Sequence, residues 1–330
     1  MNKKEGSHIS EELLKKVPKI IEKIKSETSK SVVGQTDIIE HLLRAILCNG
    51  HILIEGVPGT AKTLIVKTIA TITGCDMKRV QFTVDLLPSD ILGINSFNQS
   101  TKEFTFKKGP IFTNFLIADE INRSPPKTQS ALLQAMQEKE VSSGNKLYTI
   151  EEPFFVMATQ NPIEQSGVYN LPEAEIDRFL FKINISYPKL DEEIDVLDKN
   201  MSLKSFEQFN LCKVISKNEI LQLQETVKKI FSSDEIKKYI VKIIELTREK
   251  NKEYSKYITL GSSPRGSIAL HIASKAQALM KGRAYVLPED VREVTKPVLR
   301  HRIILNYKAE SEGISSDKII DEILNQLSPA

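Results

Sequence analysis

Three short stretches of this sequence carry side chains suited to breaking a phosphate anhydride. The first is GVPGTAKT, residues 56–63. Gly56 and Gly59 permit a tight turn whose backbone N–H groups face phosphate oxygens. Lys62 then reaches the β- and γ-phosphates, and the Thr63 hydroxyl ligates Mg²⁺. The usual pattern has glycine before the lysine; here Ala61 stands there, entering a helix where its methyl group need not clash. Val57, Pro58, Thr60 and Leu64 complete the nucleotide-contacting run. The second stretch is FLIADE, residues 115–120, an apolar run ending in two acids. Asp119 suits Mg²⁺ held through its water, and Glu120 suits the base that orients and deprotonates an attacking water. The third is FFVMATQNP, residues 154–162, whose Thr159-Gln160-Asn161 cluster brings an amide able to bond the γ-phosphate and the water, although Asn-Pro is also a common turn former.

These groups need elements that converge on one crevice. ILIE, VQFTV, FLIA, FFVMA and FKINIS read as buried strands of a parallel sheet, since helices on both faces require apolar residues on both faces. Ligands of such sheets bind outside the carboxyl ends of the strands, where all three stretches end. Ahead of the sheet, Ser10 to Asn49 is helical, opening on a serine cap and broken at SVVGQ around Gly34. The segment 86–109 is too long and too patterned for a simple loop, and INSF and EFTF within it predict a β-hairpin. After residue 190 the chain turns charged and helical, with Ile236, Ile240, Ile243 and Ile244 on one face and Pro288 in a first turn. A boundary at Tyr187-Pro188 divides an α/β core, 1–188, from a helical domain, 189–330.

Composition bounds the rest. Lys and Arg number 46 against 43 Asp and Glu, a net charge of +3, so no whole-surface nucleic-acid binder is indicated. Three dispersed cysteines and five histidines show no metal-ligand spacing, which fits a reducing compartment. With a polar N-terminus and no run of roughly 20 apolar residues, the expectation is a soluble cytoplasmic protein.

Taken together, GVPGTAKT, FLIADEINRSPPKTQSALLQAMQE, MATQNPIEQSGVYNLPEAEIDRFLF and GSSPRG resemble the MoxR-type AAA+ ATPases. The likeness runs from VVGQ to VLRHRI, and alanine before the lysine is a habit of that family. The resemblance implies a P-loop NTPase core of three αβα layers with sheet order 5-1-4-3-2, a helical lid, ATP and Mg²⁺ as cofactors, and assembly as a hexameric ring. It makes Lys62 and Thr63 the Walker A pair, Asp119 and Glu120 the Walker B pair, and Asn161 sensor 1. Arg178 becomes an arginine finger offered to the neighbouring subunit, and Arg265 becomes sensor 2, reaching from the lid. Val33, Gly34 and Gln35 fall where the family contacts adenine. Hairpins near 89–108 and 139–153 would face the pore or ring surface. Arg123 and Arg302 match family positions without an assigned role, and Phe179 and Phe181 read as core.

The plain alternative for Arg178 is an ion pair with Asp177 or Glu175, and for Arg265 a helix-start arginine of no special role. An always-charged guanidinium that forks onto phosphate oxygens favours the functional roles. The leading expectation is chaperone-like remodelling, maturation or metal insertion of a client, with a von Willebrand factor A-domain partner implied by the resemblance alone. A nucleic-acid motor is the alternative, disfavoured by near-neutral charge and the absence of tryptophan. A nucleotide-responsive scaffold without turnover is a third, disfavoured by the co-occurrence of Lys62, Glu120, Asn161 and Arg178.

Overall fold

The computed structural model describes residues 9–56, 62–99, 102–144, 146–161, 168–185, 190–198 and 205–327. Its centre is a five-stranded parallel sheet: β1 (Ile52–Gly56), β2 (Met77–Gln81), β3 (Phe115–Asp119), β4 (Phe155–Gln160) and β5 (Phe181–Ile185). The spatial order is 5-1-4-3-2, as the resemblance implied. The boundary expected at Tyr187-Pro188 lies outside the described residues.

Alternation along the strands sorts the interior into two apolar layers. Ile52, Ile54, Phe115, Ile117, Phe155 and Met157 point to one face of the sheet. Leu53, Leu116, Ala118, Val156 and Ala158 point to the other, where Leu132, Leu133 and Met136 of the helix Pro126–Glu138 cover them. Phe179 and Phe181 are fully buried, as core residues should be.

One predicted strand is displaced. VQFTV suggests residues 80–84, but β2 begins at Met77 and ends at Gln81. It lies at the edge of the sheet, pairing with β3 alone, so Lys78 and Arg79 remain exposed within it. An apolar-run criterion passes over such a half-exposed strand. Phe82, just past its end, is buried in the second layer while its N–H donates to the Asp119 carbonyl at 2.8 Å.

Both hairpins form. Gly93–Asn98 pairs antiparallel with Glu103–Lys108, and Glu140–Ser143 with Lys146–Thr149. Phe106 of the first stacks on Tyr148 of the second with ring centroids 4.2 Å apart, so the two stand together.

Helices dominate after residue 205: Lys217–Lys229, Asp234–Leu246, Pro264–Met280, Pro288–Leu299 and Ser316–Gln326. The Ser233 side chain accepts from the Ile236 N–H, and Pro288 occupies the first turn predicted for it. Ile236, Ile240, Ile243 and Ile244 are buried. One small antiparallel pairing, Ile258–Leu260 with Ile304–Leu305, joins segments far apart in sequence. No helix among the described residues is long and apolar enough to cross a membrane.

The helical part is welded to the sheet part. A single apolar cluster runs from Val17 and Leu42 through β1 and β5 to Leu270, Val298 and Ile320. Three guanidiniums cross the same boundary. Arg44, buried on the helix Thr36–Leu47, donates to Gln277 at 2.5 Å and to Glu293 at 2.7 Å. Arg300 donates to the Lys182 carbonyl on β5 at 3.3 Å, covering part of that strand's outer edge. Arg302 is buried and donates to the Asp177 carboxylate at 2.7 Å and the Phe179 carbonyl at 2.7 Å.

Two predictions follow from this packing. Arg302→Ala removes the guanidinium that serves the Asp177 carboxylate and four backbone carbonyls; denaturant titration should show a loss of about 3 kcal/mol. Burial pushes His41 down to about 3, His51 down to about 4, and His301 well below its usual value. These rings stay neutral in the fold while the unfolded chain takes up protons below about pH 6.5, so stability is full above that pH and falls as pH drops. The expected slope is about 1.4 kcal/mol per pH unit for each histidine. His301→Gln should flatten it in denaturation curves recorded between pH 7.5 and 5.

Candidate functional site

The carboxyl edge of the sheet collects the first group of candidate residues. Gly56 ends β1 so close to β5 that a Cβ would lie 2.5 Å from the Ile185 carbonyl oxygen; the strand's packing alone therefore demands glycine. Val57, Pro58, Gly59, Thr60 and Ala61 lie outside the described residues. The chain is described again at Lys62, where the helix Lys62–Thr73 begins, with Thr63 and Leu64 in its first turn. Lys62 turns back to donate to the Gly56 carbonyl at 2.9 Å. Partial burial holds its ammonium below the usual range, against the opposing pull of Asp119 and then Glu120. A positive helix end and a lysine beside it form an anion site.

Asp119 and Glu120 terminate β3. Glu120 has left-handed backbone angles, φ 55° and ψ 50°, a conformation that costs a non-glycine residue and persists only where neighbours enforce it. The neighbour is Thr159, the penultimate residue of β4. Its buried hydroxyl donates to Asp119 Oδ1 at 2.6 Å and accepts from the Glu120 N–H at 2.9 Å. One side chain thus holds the Asp119 carboxylate and the backbone of Glu120. Glu120 Oε2 also receives Arg123 Nη1 at 3.1 Å. Asn161 follows β4 directly, and its carbonyl accepts from Asn122 Nδ2 at 3.4 Å.

Asp119 Oδ2 has a partner that sequence reasoning missed. Arg79 on β2 donates to it from Nε at 3.1 Å and Nη2 at 2.5 Å. The signal was available only through the register of β2, in which Arg79 stands opposite Ile117 and Gln81 opposite Asp119. Thr159 was visible as part of a polar strand end, but its hydroxyl bridge between two acids was not.

The amino edge of the sheet collects the second group. Arg178 lies just before β5 and is exposed. Its neighbour Asp177 accepts from Arg302 at 2.7 Å and from the Ser263 hydroxyl at 3.0 Å, and Arg265 Nη1 lies 3.9 Å from Asp177 Oδ2. Arg178, Arg265 and the exposed Ile268 line one cavity of about 330 Å³, together with His51 at the foot of β1. The structure therefore brings Arg178 and Arg265 together and separates both from Lys62. Five-residue parallel strands set the two edges roughly 16 Å apart. Arg265 stands at the start of a lid helix, as the resemblance implied, and shares its cavity with Arg178. Val33, Gly34 and Gln35 form the turn before the helix Thr36–Leu47, with Gly34 at φ 65° and Gln35 at φ 56°.

Thr63 and Asp119 offer hard oxygen donors beside a lysine, a set that suits Mg²⁺ retaining several waters. Among the described residues, no group of three or more His, Cys, Asp or Glu forms a metal cluster.

Comparison with known proteins gives a consistent picture. Residues 51–181 match the model of the ATPase family associated with various cellular activities, and residues 252–323 match its lid domain. The Bacillus subtilis protein YeaC is 46% identical over 297 residues, covering 90% of this chain and 91% of YeaC. Chaperone MoxR1 of Mycobacterium tuberculosis is 43% identical over 303 residues, covering 90% of this chain and 79% of the relative. A solved structure from Cytophaga hutchinsonii, described as that of a proposed ATPase, superposes with a TM-score of 0.89 at 45% identity, covering 97% of this chain and 98% of that one.

The Thr159 bridge generates a prediction. Thr159→Val keeps the volume but removes the bonds to the Asp119 carboxylate and the Glu120 backbone, so turnover of ATP should fall about 10²-fold, the scale of a small misplacement at a reacting centre. Affinity for the nucleotide without metal should stay within a few-fold, measured by equilibrium binding, and Thr159→Ser should restore most of the loss.

Proposed function

Because the chain belongs to the MoxR family of AAA+ ATPases, we propose that it hydrolyses Mg·ATP at a site shared between two protomers and spends the energy on remodelling a client protein. The observation that carries this reading is the separation of Lys62, Asp119 and Glu120 from Arg178 and Arg265 by the width of the sheet.

In this mechanism the loop 56–63 and the helix start at Lys62 bind the triphosphate. Thr63, directly, and Asp119, through water, would hold Mg²⁺, which when bound neutralises charge on the β- and γ-oxygens. Glu120, clamped by Thr159, orients the attacking water and accepts its proton, while Asn161 at the neighbouring strand end positions that water against the γ-phosphoryl group. Arg178 and Arg265 of the adjacent protomer meet the charge that spreads over the departing phosphoryl oxygens. An arginine supplied this way contributes about 10³–10⁵ in rate in other NTPases. Such an interface joins unlike faces head to tail, which closes into a ring when the rotation allows; a hexamer is our reading. In this reading the working motion lies between protomers, which the apolar cluster shared by lid and sheet supports.

The paired hairpins are the surface we assign to the client. Phe97 and Phe104 face each other across the first hairpin with centroids 5.1 Å apart and are largely exposed, as is Leu147 on the second. Lone apolar residues on a surface need no explanation, but an aromatic pair displayed on a projecting hairpin fits contact with another chain. A relative named as a chaperone agrees with that use. A von Willebrand factor A-domain partner remains part of the proposal on the family's account.

Glu120→Gln tests the assignment. Phosphate release should fall at least 10²-fold while Mg·ATP stays bound through gel filtration; continued release at the wild-type rate would reject Glu120 as the base.

A further inference from the structure

The residue nearest the catalytic acids that the mechanism leaves unused is Arg79. It arises from the edge strand β2, is half exposed, and directs two nitrogens onto one oxygen of Asp119. The other oxygen of the same carboxylate is taken by the buried Thr159 hydroxyl. Both oxygens of the metal-binding acid are therefore engaged before any cation arrives. The two contacts differ in kind. Thr159 is enclosed, fixes Glu120 as well, and has nowhere else to turn. Arg79 faces solvent on a flexible stem, and its next contact, Gln81 Oε1 at 3.3 Å, is a neutral amide on its own strand.

We infer that Arg79 is a resident counter-ion of the metal site: it occupies the outer oxygen of Asp119 when the site lacks Mg²⁺ and is displaced when the metal enters with its nucleotide. This rests on the reading of Asp119 as the Mg²⁺ residue and adds a competitor to it. The charges facing the site fit the role. Lys62, Arg79 and Arg123 surround Asp119 and Glu120, leaving one net positive charge to attract a triphosphate and to disfavour a bare divalent cation. A cation accompanied by phosphate oxygens meets no such barrier once Arg79 swings out to water. The arrangement makes metal binding conditional on nucleotide.

Competition has a binding signature independent of turnover. Mn²⁺ is titrated by electron paramagnetic resonance into the full-length protein, with and without a non-hydrolysable ATP analogue. In Arg79→Ala the half-saturating Mn²⁺ concentration should fall about three- to five-fold, the scale of an exposed ion pair, and the nucleotide-free protein should show the larger change. Lys78→Met removes a charge from the same strand, where Lys78 donates to the Phe112 carbonyl rather than to Asp119, and should leave the titration unchanged. An unchanged or weaker Mn²⁺ affinity in Arg79→Ala overturns the inference, as does an equal shift in Lys78→Met, which would reveal only the general field. If the wild-type protein binds no Mn²⁺ even with the analogue, the metal site itself is misassigned, and the role of Arg79 falls with it.

Discussion

Parallel strands give a sheet a direction, and that direction governs how this molecule can work. Everything following a strand emerges at one edge; everything preceding a strand enters at the other. Lys62 follows β1, Asp119 ends β3 with Glu120 next to it, and Asn161 follows β4. The arginine next to Asp177 precedes β5, and Arg302 and Ser263 tie the start of the lid helix to the same place. In the proposed mechanism such a chain holds half of a hydrolytic site on each of two opposite faces, and the halves meet when a second copy is set beside the first.

The weld between lid and sheet follows from the same requirement. If the arginines serve a neighbour, their spacing must be preserved as the neighbour's nucleotide changes. Arg302 does this by satisfying the Asp177 carboxylate and the carbonyls of residues 177, 179 and 180 at once. Burying a charge is costly unless it is fully paired, and this one is paired along the segment that presents Arg178. The position left without a role by sequence reasoning is thus the one that braces the segment carrying Arg178. Arg44 acts likewise at the other end of the interface, bonding Glu40, Glu293 and Gln277.

Much of the architecture was legible because its signals are local. Apolar runs marked four of the five strands, serine and proline caps marked helix starts, and the short stretches INSF and EFTF marked the first hairpin. The phosphate loop and the acid pair could be read because motif and context lie within a few residues. What escaped depends on register and on contacts across long stretches of chain. The β2 strand was misplaced because an edge strand tolerates lysine and arginine, and with it Arg79 was missed. Thr159 was seen as polar but not as the hydroxyl that joins Asp119 to Glu120 across two strands. The grouping of Arg265 with Arg178 depends on how the lid docks, which no local pattern encodes.

The account stands most directly on one measurement: ATPase activity of mixtures of Arg178→Ala and Lys62→Ala protein, each inactive alone. Random mixing at equal amounts places an intact cradle against an intact arginine at about a quarter of head-to-tail interfaces, so activity should reappear in proportion. Mixtures as inactive as their components, under conditions where subunits exchange, would show that each chain completes its own site and would contradict the division of labour across the sheet.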